Sequence, residues 1–160
     1  MENSLKPILL VEDNPRDLEL TLVALEKTHL ANEVVVCRDG EEALNYLLSR
    51  GSGEGQQGGY PAVMLLDLKL PKVDGLEVLE TVRKTEGLKR LPVVILTSSR
   101  EEGDLMKSYN LGVNAYVVKP VEFQEFINAI QKLGVFWAVL NEPPPGSKKP
   151  VFNSKGNGNN

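Results

Sequence analysis

The sequence predicts an α/β protein built on a parallel sheet, and three observations lead there. Short apolar runs rich in Val, Ile and Leu recur at residues 8–11, 34–37, 62–66, 93–96 and 115–118, as buried strands require. Apolar residues at helical spacing follow each run, beginning with Leu18, Leu22 and Leu25 and, after the second run, Ala43, Leu44 and Leu47. The two patterns alternate five times. Neighbouring parallel strands joined by right-handed crossovers need a helix between them, so this alternation specifies a sheet covered on both faces.

Each element has its own local signal. The first run, ILLV, ends in Glu12-Asp13, and Asn14 is placed to cap a helix with Pro15 at its first position. The second run, VVVC, contains the lone Cys37, which excludes an intrachain disulfide and reads as a small buried hydrophobe. Asp39-Gly40 marks the turn into the second helix, after which GSGEGQQGGYP, residues 51–61, carries too few apolar groups to be ordered by burial and is expected to be a mobile insertion. The third run, AVMLL, ends in Asp67, and Asp74-Gly75 turns into a helix with Leu76, Leu79 and Val82 on one face. The fourth run ends in Thr97-Ser98, which are placed to cap a helix carrying Leu105, Met106 and Tyr109. The fifth run, AYVV, ends in Lys119-Pro120, before a helix with Phe123, Phe126, Ile127, Ile130 and Leu133 on its core face. Five strands and five helices in this order predict a doubly wound, flavodoxin-like fold with strand order 2-1-3-4-5.

A chain of 160 residues has room for one domain. The reading assigns residues 1–140 to it and leaves 141–160, a Pro-rich stretch giving way to Gly and Asn, as an extended to disordered tail. A formal net charge of −4 with no dense Lys/Arg run argues against nucleic acid as a partner. No apolar stretch nears the roughly 20 residues that cross a bilayer, and the start MENSLKP lacks the order of a signal peptide. A cytoplasmic protein is expected. His29, the single histidine, sits near a helix end with no Cys, His or Ser partner nearby and reads as solvated.

In an open parallel sheet the functional crevice lies at the carboxyl ends of the strands. Here those ends carry Glu12, Asp13, Asp67, Thr97 and Lys119. Carboxylates crowded at one sheet edge repel each other unless a cation neutralises them or one is protonated. A hard divalent ion such as Mg²⁺ suits oxygen ligands, with Asp13 and Asp67 as carboxylates and Glu12 acting directly or through water. Asp67 follows a buried strand, and such rigid placement suits a nucleophile that attacks phosphorus to give an acyl phosphate. Lys119 offers a point charge to the phosphoryl group and Thr97 a hydroxyl donor.

The ordered segments ILLVEDN, VMLLDLKLPKVDGLEVL, VVILTSS and AYVVKPV resemble the receiver domains of two-component response regulators over about residues 5–140. The resemblance implies that Asp67 is phosphorylated by a sensor histidine kinase. It also implies a magnesium site formed by Glu12, Asp13, Asp67 and the backbone carbonyl of Lys69. Thr97 and Lys119 match the family's phosphoryl-stabilising residues, Tyr116 its switch aromatic, and Pro120 its cis proline. The segments SREEGDL and FWAVLNEPPP are similar to those of small receivers paired with bacterial phytochrome kinases.

After the core stripe of the fifth helix, Val135, Phe136, Trp137, Val139 and Leu140 add apolar bulk of the kind that marks an interface. A homodimer through Phe136 and Trp137 is expected, the alternative being an extension folded back on its own domain. Too few residues follow for an effector domain, so output by surface contact or relay to a histidine phosphotransfer protein is expected. Two rivals differ in class. An aspartate-nucleophile phosphatase carries a second acid two residues after its nucleophile, where this chain has Lys69. A flavodoxin-type carrier needs a phosphate loop after strand one, where Glu12-Asp13 would repel a phosphate unless metal intervened.

Overall fold

The computed structural model describes residues 6–27, 32–50, 59–119, 122, 124–126 and 128. Its elements run β1 (Ile8–Val11), α1 (Pro15–Lys27), β2 (Val34–Cys37), α2 (Gly40–Ser49), β3 (Val63–Leu66), α3 (Gly75–Lys84), β4 (Val93–Thr97), α4 (Glu102–Asn110) and β5 (Ala115–Val118). Residues 124–126 and 128 are helical and belong to the expected fifth helix. The strands form one sheet in the order β2-β1-β3-β4-β5, every pairing parallel. This is the flavodoxin-like doubly wound arrangement, whose winding reverses between β1 and β3.

The three inner strands are buried along their whole length, which is why they read as unbroken apolar runs. The edge strands β2 and β5 are only partly buried. Alternate residues of each inner strand serve opposite faces. Leu10, Leu65 and Leu96 pack with Ala24 and Leu25 of α1 and with Phe126, whereas Leu9, Met64 and Ile95 pack with Leu47 of α2 and with Val78, Leu79 and Val82 of α3. Helices thus cover both sides and leave the ends of the strands open.

The helix starts follow their signals in part. Asn14 caps α1, its Oδ1 accepting from the amides of Arg16 and Asp17 at 2.9 and 3.0 Å. Asp39 caps α2 through a 2.7 Å bond from the Glu42 amide. Thr97 and Ser98 do not cap α4. Thr97 extends β4, Ser98 follows it, and α4 begins later, at Glu102 with Glu101 before it. Gly75 has a packing role, because a Cβ there would lie 2.3 Å from the carbonyl oxygen of Asp67. Its amide instead donates to the Leu68 carbonyl at 2.9 Å, tying α3 to the segment that follows β3.

Cys37 is free and buried, with its thiol pushed up to about 12 by burial and by the nearby acids Glu42 and Asp39. Of the insertion, residues 59–61 are described and the glycine-rich 51–58 lie outside the described residues. His29, Pro120, Phe136, Trp137 and the tail from residue 141 lie outside them as well. No helix among the described residues is long and apolar enough to cross a membrane.

Candidate phosphoryl and metal site

Backbone hydrogen bonds continue past the last residues of the strands and fix the side chains at the sheet's carboxyl edge. The Glu12 amide donates to Cys37 O at 3.0 Å, the Asp67 amide to Val11 O at 3.1 Å, and the Lys119 amide to Thr97 O at 2.8 Å. Glu12, Asp67 and Lys119 are therefore held by the same ladder that orders the core. Glu12 and Asp67 are 1% and 4% exposed, unusual for carboxylates, and Thr97 is fully buried beside them.

The three acids predicted as a metal set do converge. Glu12, Asp13 and Asp67 each offer a carboxylate oxygen, and these oxygens all lie within 4.8 Å of one another. Lys119 is the compensating cation, its Nζ 2.7 Å from Glu12 Oε1, 3.0 Å from Asp67 Oδ2 and 2.9 Å from Asp17 Oδ2. One ammonium does not cancel this many acids. The all-oxygen donor set and its excess negative charge fit a hard divalent cation.

The protonation behaviour follows from these contacts. Burial raises the Glu12 carboxyl to about 7, and the neighbouring charge of Asp67 adds to the effect against the pull of Lys119. Burial alone would lower the Lys119 ammonium, but hydrogen bonds to Glu12 and Asp17 and the charge of Asp67 outweigh it and hold its pKa above the ordinary lysine range. Lys119 stays charged.

Beside this cluster, Lys69 donates its amide to Asp67 Oδ1 at 3.2 Å, while its exposed ammonium lies 3.5 Å from Asp104 at the start of α4. Thr97 Oγ1 accepts from the Ser99 amide at 3.3 Å. The Tyr116 hydroxyl donates to the Ser99 carbonyl at 3.2 Å, and burial raises its pKa. Ser99 Oγ donates to Asp104 Oδ2 at 2.5 Å. Glu12, Asp13, Asp67, Thr97 and Lys119 thus lie together at the carboxyl edge of the sheet with Lys69 just past β3, while Tyr116, inside β5, reaches the loop after β4 through its hydroxyl.

Three participants escaped the sequence reading. Asp17 looks like an ordinary acid in a helix's first turn, and Ser99 and Asp104 look like polar loop and surface residues. Asp104 could have been found only from the later start of α4 at Glu102, which puts it in the helix's first turn. Asp17 gave no signal, since its partner is 102 residues away.

The chain matches the family profile described as response regulator receiver domain over residues 8–131. It is 72% identical to the bacteriophytochrome response regulator AtBRR, whose structure superposes with a TM-score of 0.73 over 87% of this chain and 99% of that one. It is 39% identical over 135 residues to the response regulator Rcp1 of Synechocystis sp., covering 84% of this chain and 90% of Rcp1. The Mn²⁺-bound crystal form of Rcp1 superposes with a TM-score of 0.68, covering 91% of this chain and 99% of that one. The phosphorylated cyanobacterial phytochrome response regulator RcpA is 40% identical and gives the same score over 88% of this chain and 99% of RcpA. With the sheet order, the convergent acids and the buried lysine in agreement, the chain belongs to the response regulator receiver domain family.

Proposed function

We propose that this protein is a phosphoryl-accepting switch of a two-component phosphorelay, with Asp67 as the acceptor and a sensor histidine kinase as the donor. The observation that carries the reading is the setting of Asp67: a buried carboxylate at the end of β3, 3.0 Å from Lys119 and grouped with Glu12 and Asp13. In the reaction an Asp67 carboxylate oxygen attacks the phosphorus of a phosphohistidine. The P–N bond breaks, its electron pair leaves on the imidazole nitrogen, and the product is an aspartyl phosphate.

Glu12, Asp13, Asp67 and the Lys69 carbonyl would hold Mg²⁺, which when bound neutralises charge on the transferring group. The Mn²⁺ of the Rcp1 structure supports a divalent ion at this edge. Lys119 donates to the phosphoryl oxygens, and Thr97 supplies a hydroxyl. Because Thr97 and Tyr116 both bond to Ser99, one through its amide and one through its carbonyl, a shift of the Thr97 hydroxyl toward a phosphoryl group is felt at Tyr116. The loop before α4 is then the moving part, and the phosphoryl group favours the active conformer by contacts that exist only in its presence.

Similarity to AtBRR supports a bacterial phytochrome as the kinase. The same reading includes relay to a histidine phosphotransfer protein, a cytoplasmic location, one receiver domain over residues 1–140 with an extended tail, Pro120 as a cis proline, and a homodimer through Phe136 and Trp137. Light scattering with and without a phosphoryl mimic tests the dimer. The chain acts as a switch and not as a hydrolase, since Lys69 offers an ammonium where a phosphatase needs an acid. The decisive experiment is incubation with acetyl phosphate and Mg²⁺, with intact mass read for the wild type and Asp67→Asn. A phosphoryl mass is expected on the wild type alone; its persistence in the variant would exclude Asp67.

A further inference from the structure

An ammonium has three protons to donate, and three carboxylates surround that of Lys119. Two of them, Glu12 at 2.7 Å and Asp67 at 3.0 Å, belong to the cluster at the strand ends. The third, Asp17 at 2.9 Å, comes from the first turn of α1 and is not one of the acids whose oxygens a cation could bridge. Its backbone is fixed by the helix cap, the Asp17 amide donating to Asn14 Oδ1 at 3.0 Å. A helix N-terminus favours an acid at this position, but that preference does not require contact with an ammonium whose side chain is 8% exposed.

A phosphoryl group on Asp67 carries its charge on new oxygens; the Asp67 carboxylate gives up its own share of Lys119 as it becomes an acyl phosphate, and for Lys119 to donate a second bond to the new oxygens it must also release Glu12 or Asp17. Glu12, 1% exposed, would be left as a buried acid without its cation, which is costly. Asp17, 28% exposed, can be rehydrated. Asp17 is therefore the partner to be released, and its freed charge then stands beside the incoming phosphoryl charge and repels it.

We propose that Asp17 competes with the incoming phosphoryl group for Lys119 and thereby restrains phosphorylation of Asp67. The inference rests on the reading of Asp67 as the acceptor. Asp17 acts through Lys119 and is a positioning residue that couples the start of α1 to the site.

The test uses the full chain with acetyl phosphate and Mg²⁺, followed by intact mass against time. An Asp67 oxygen attacks phosphorus, the P–O bond to the acetyl group breaks, and the electron pair leaves on acetate. Asp17→Asn keeps the shape and removes the charge, and its initial rate is expected to be about five-fold faster than wild type, or about 1 kcal/mol of barrier at 1.36 kcal/mol per decade. Asp17→Ser removes the charge in a second way and should match it, while Asp17→Glu, which restores the charge, should stay near the wild-type rate. Thermal melts of all the proteins separate this effect from loss of folding, because a merely structural Asp17 would slow acceptance when removed. The inference is overturned if the uncharged variants are no faster than wild type, or if Asp17→Glu accelerates as much as they do. No mass gain in the wild type would overturn the reading of Asp67 itself, and this inference with it.

Discussion

Lys119 Nζ lies 2.7 Å from Glu12 Oε1, and the two side chains are 8% and 1% exposed. An ion pair this buried adds little net stability while intact, but removing one partner strands the other and costs about 3–5 kcal/mol. Lys119→Met should therefore destabilise the metal-free protein by that order at pH 8, measured by urea denaturation. The loss should shrink at pH 5, where Glu12 takes up a proton, and Mg²⁺ should recover part of it. A variant as stable as wild type at pH 8 would show that the acids do not depend on this ammonium.

The raised Glu12 pKa sets a pH slope of definite sign. The folded protein holds the Glu12 proton to about 7, whereas the ordinary value is 4.5. The stability Glu12 contributes is fully present below 4.5 and is lost as pH rises through about 7. Over that window the change is on the order of 2–3 kcal/mol. Glu12→Gln cannot titrate, so denaturation curves at half-unit intervals from pH 4.5 to 8 should show its stability relative to wild type rising with pH. Parallel curves for the two proteins would contradict the raised value.

Cation binding carries the opposite sign, because it requires Glu12 ionised. Mg²⁺ at a hundred times its dissociation constant stabilises a folded protein by about 2.7 kcal/mol. Differential scanning calorimetry should find a higher Tm in Mg²⁺ than in chelator at pH 8 and a smaller difference at pH 6. Asp13→Asn removes a half-buried acid of the cluster and should abolish most of the shift, whereas a full shift in that variant would place the ion elsewhere.

The parts of the molecule legible in the sequence are those governed by local pattern. Strands buried on both faces must be apolar at every position, so β1, β3 and β4 announced themselves, the only differences being Ala62, just before β3, and Thr97, the last residue of β4. The strand-end rule then located Glu12, Asp67, Thr97 and Lys119. What the pattern could not supply was side-chain direction across long separations. Arg83 looked like a basic residue at the end of a helix, yet its guanidinium donates to the carbonyls of Lys89, Leu91, Leu111 and Gly112 and clips two loops together. Lys72 adopts a left-handed backbone, φ 70°, in the loop after β3, with Asp39 and Glu41 at 3.7 and 3.9 Å from its ammonium. Neither the clip nor the pairing has a period or a motif, and the Lys119–Asp17 contact fails to show for the same reason.

Gly75 links packing to the site most directly. A Cβ at this position would stand 2.3 Å from the carbonyl oxygen of Asp67 and 2.5 Å from Leu68 Cα, both backbone atoms that cannot turn aside as a flexible side chain can. Gly75→Ala must therefore push α3 away from the segment after β3 or shift that segment, and overpacking of this kind costs about 1–3 kcal/mol. The same shift would move the Asp67 carboxylate relative to Lys119, which is anchored independently by the hydrogen bond its amide donates to the Thr97 carbonyl. The expected outcome is a loss of stability of that size in denaturant, together with slower gain of phosphoryl mass from acetyl phosphate in the fraction that remains folded. If stability fell with the rate unchanged, the close approach would serve packing alone; if neither changed, the segment after β3 would be free to yield, and the rigid placement of Asp67 would lose its support.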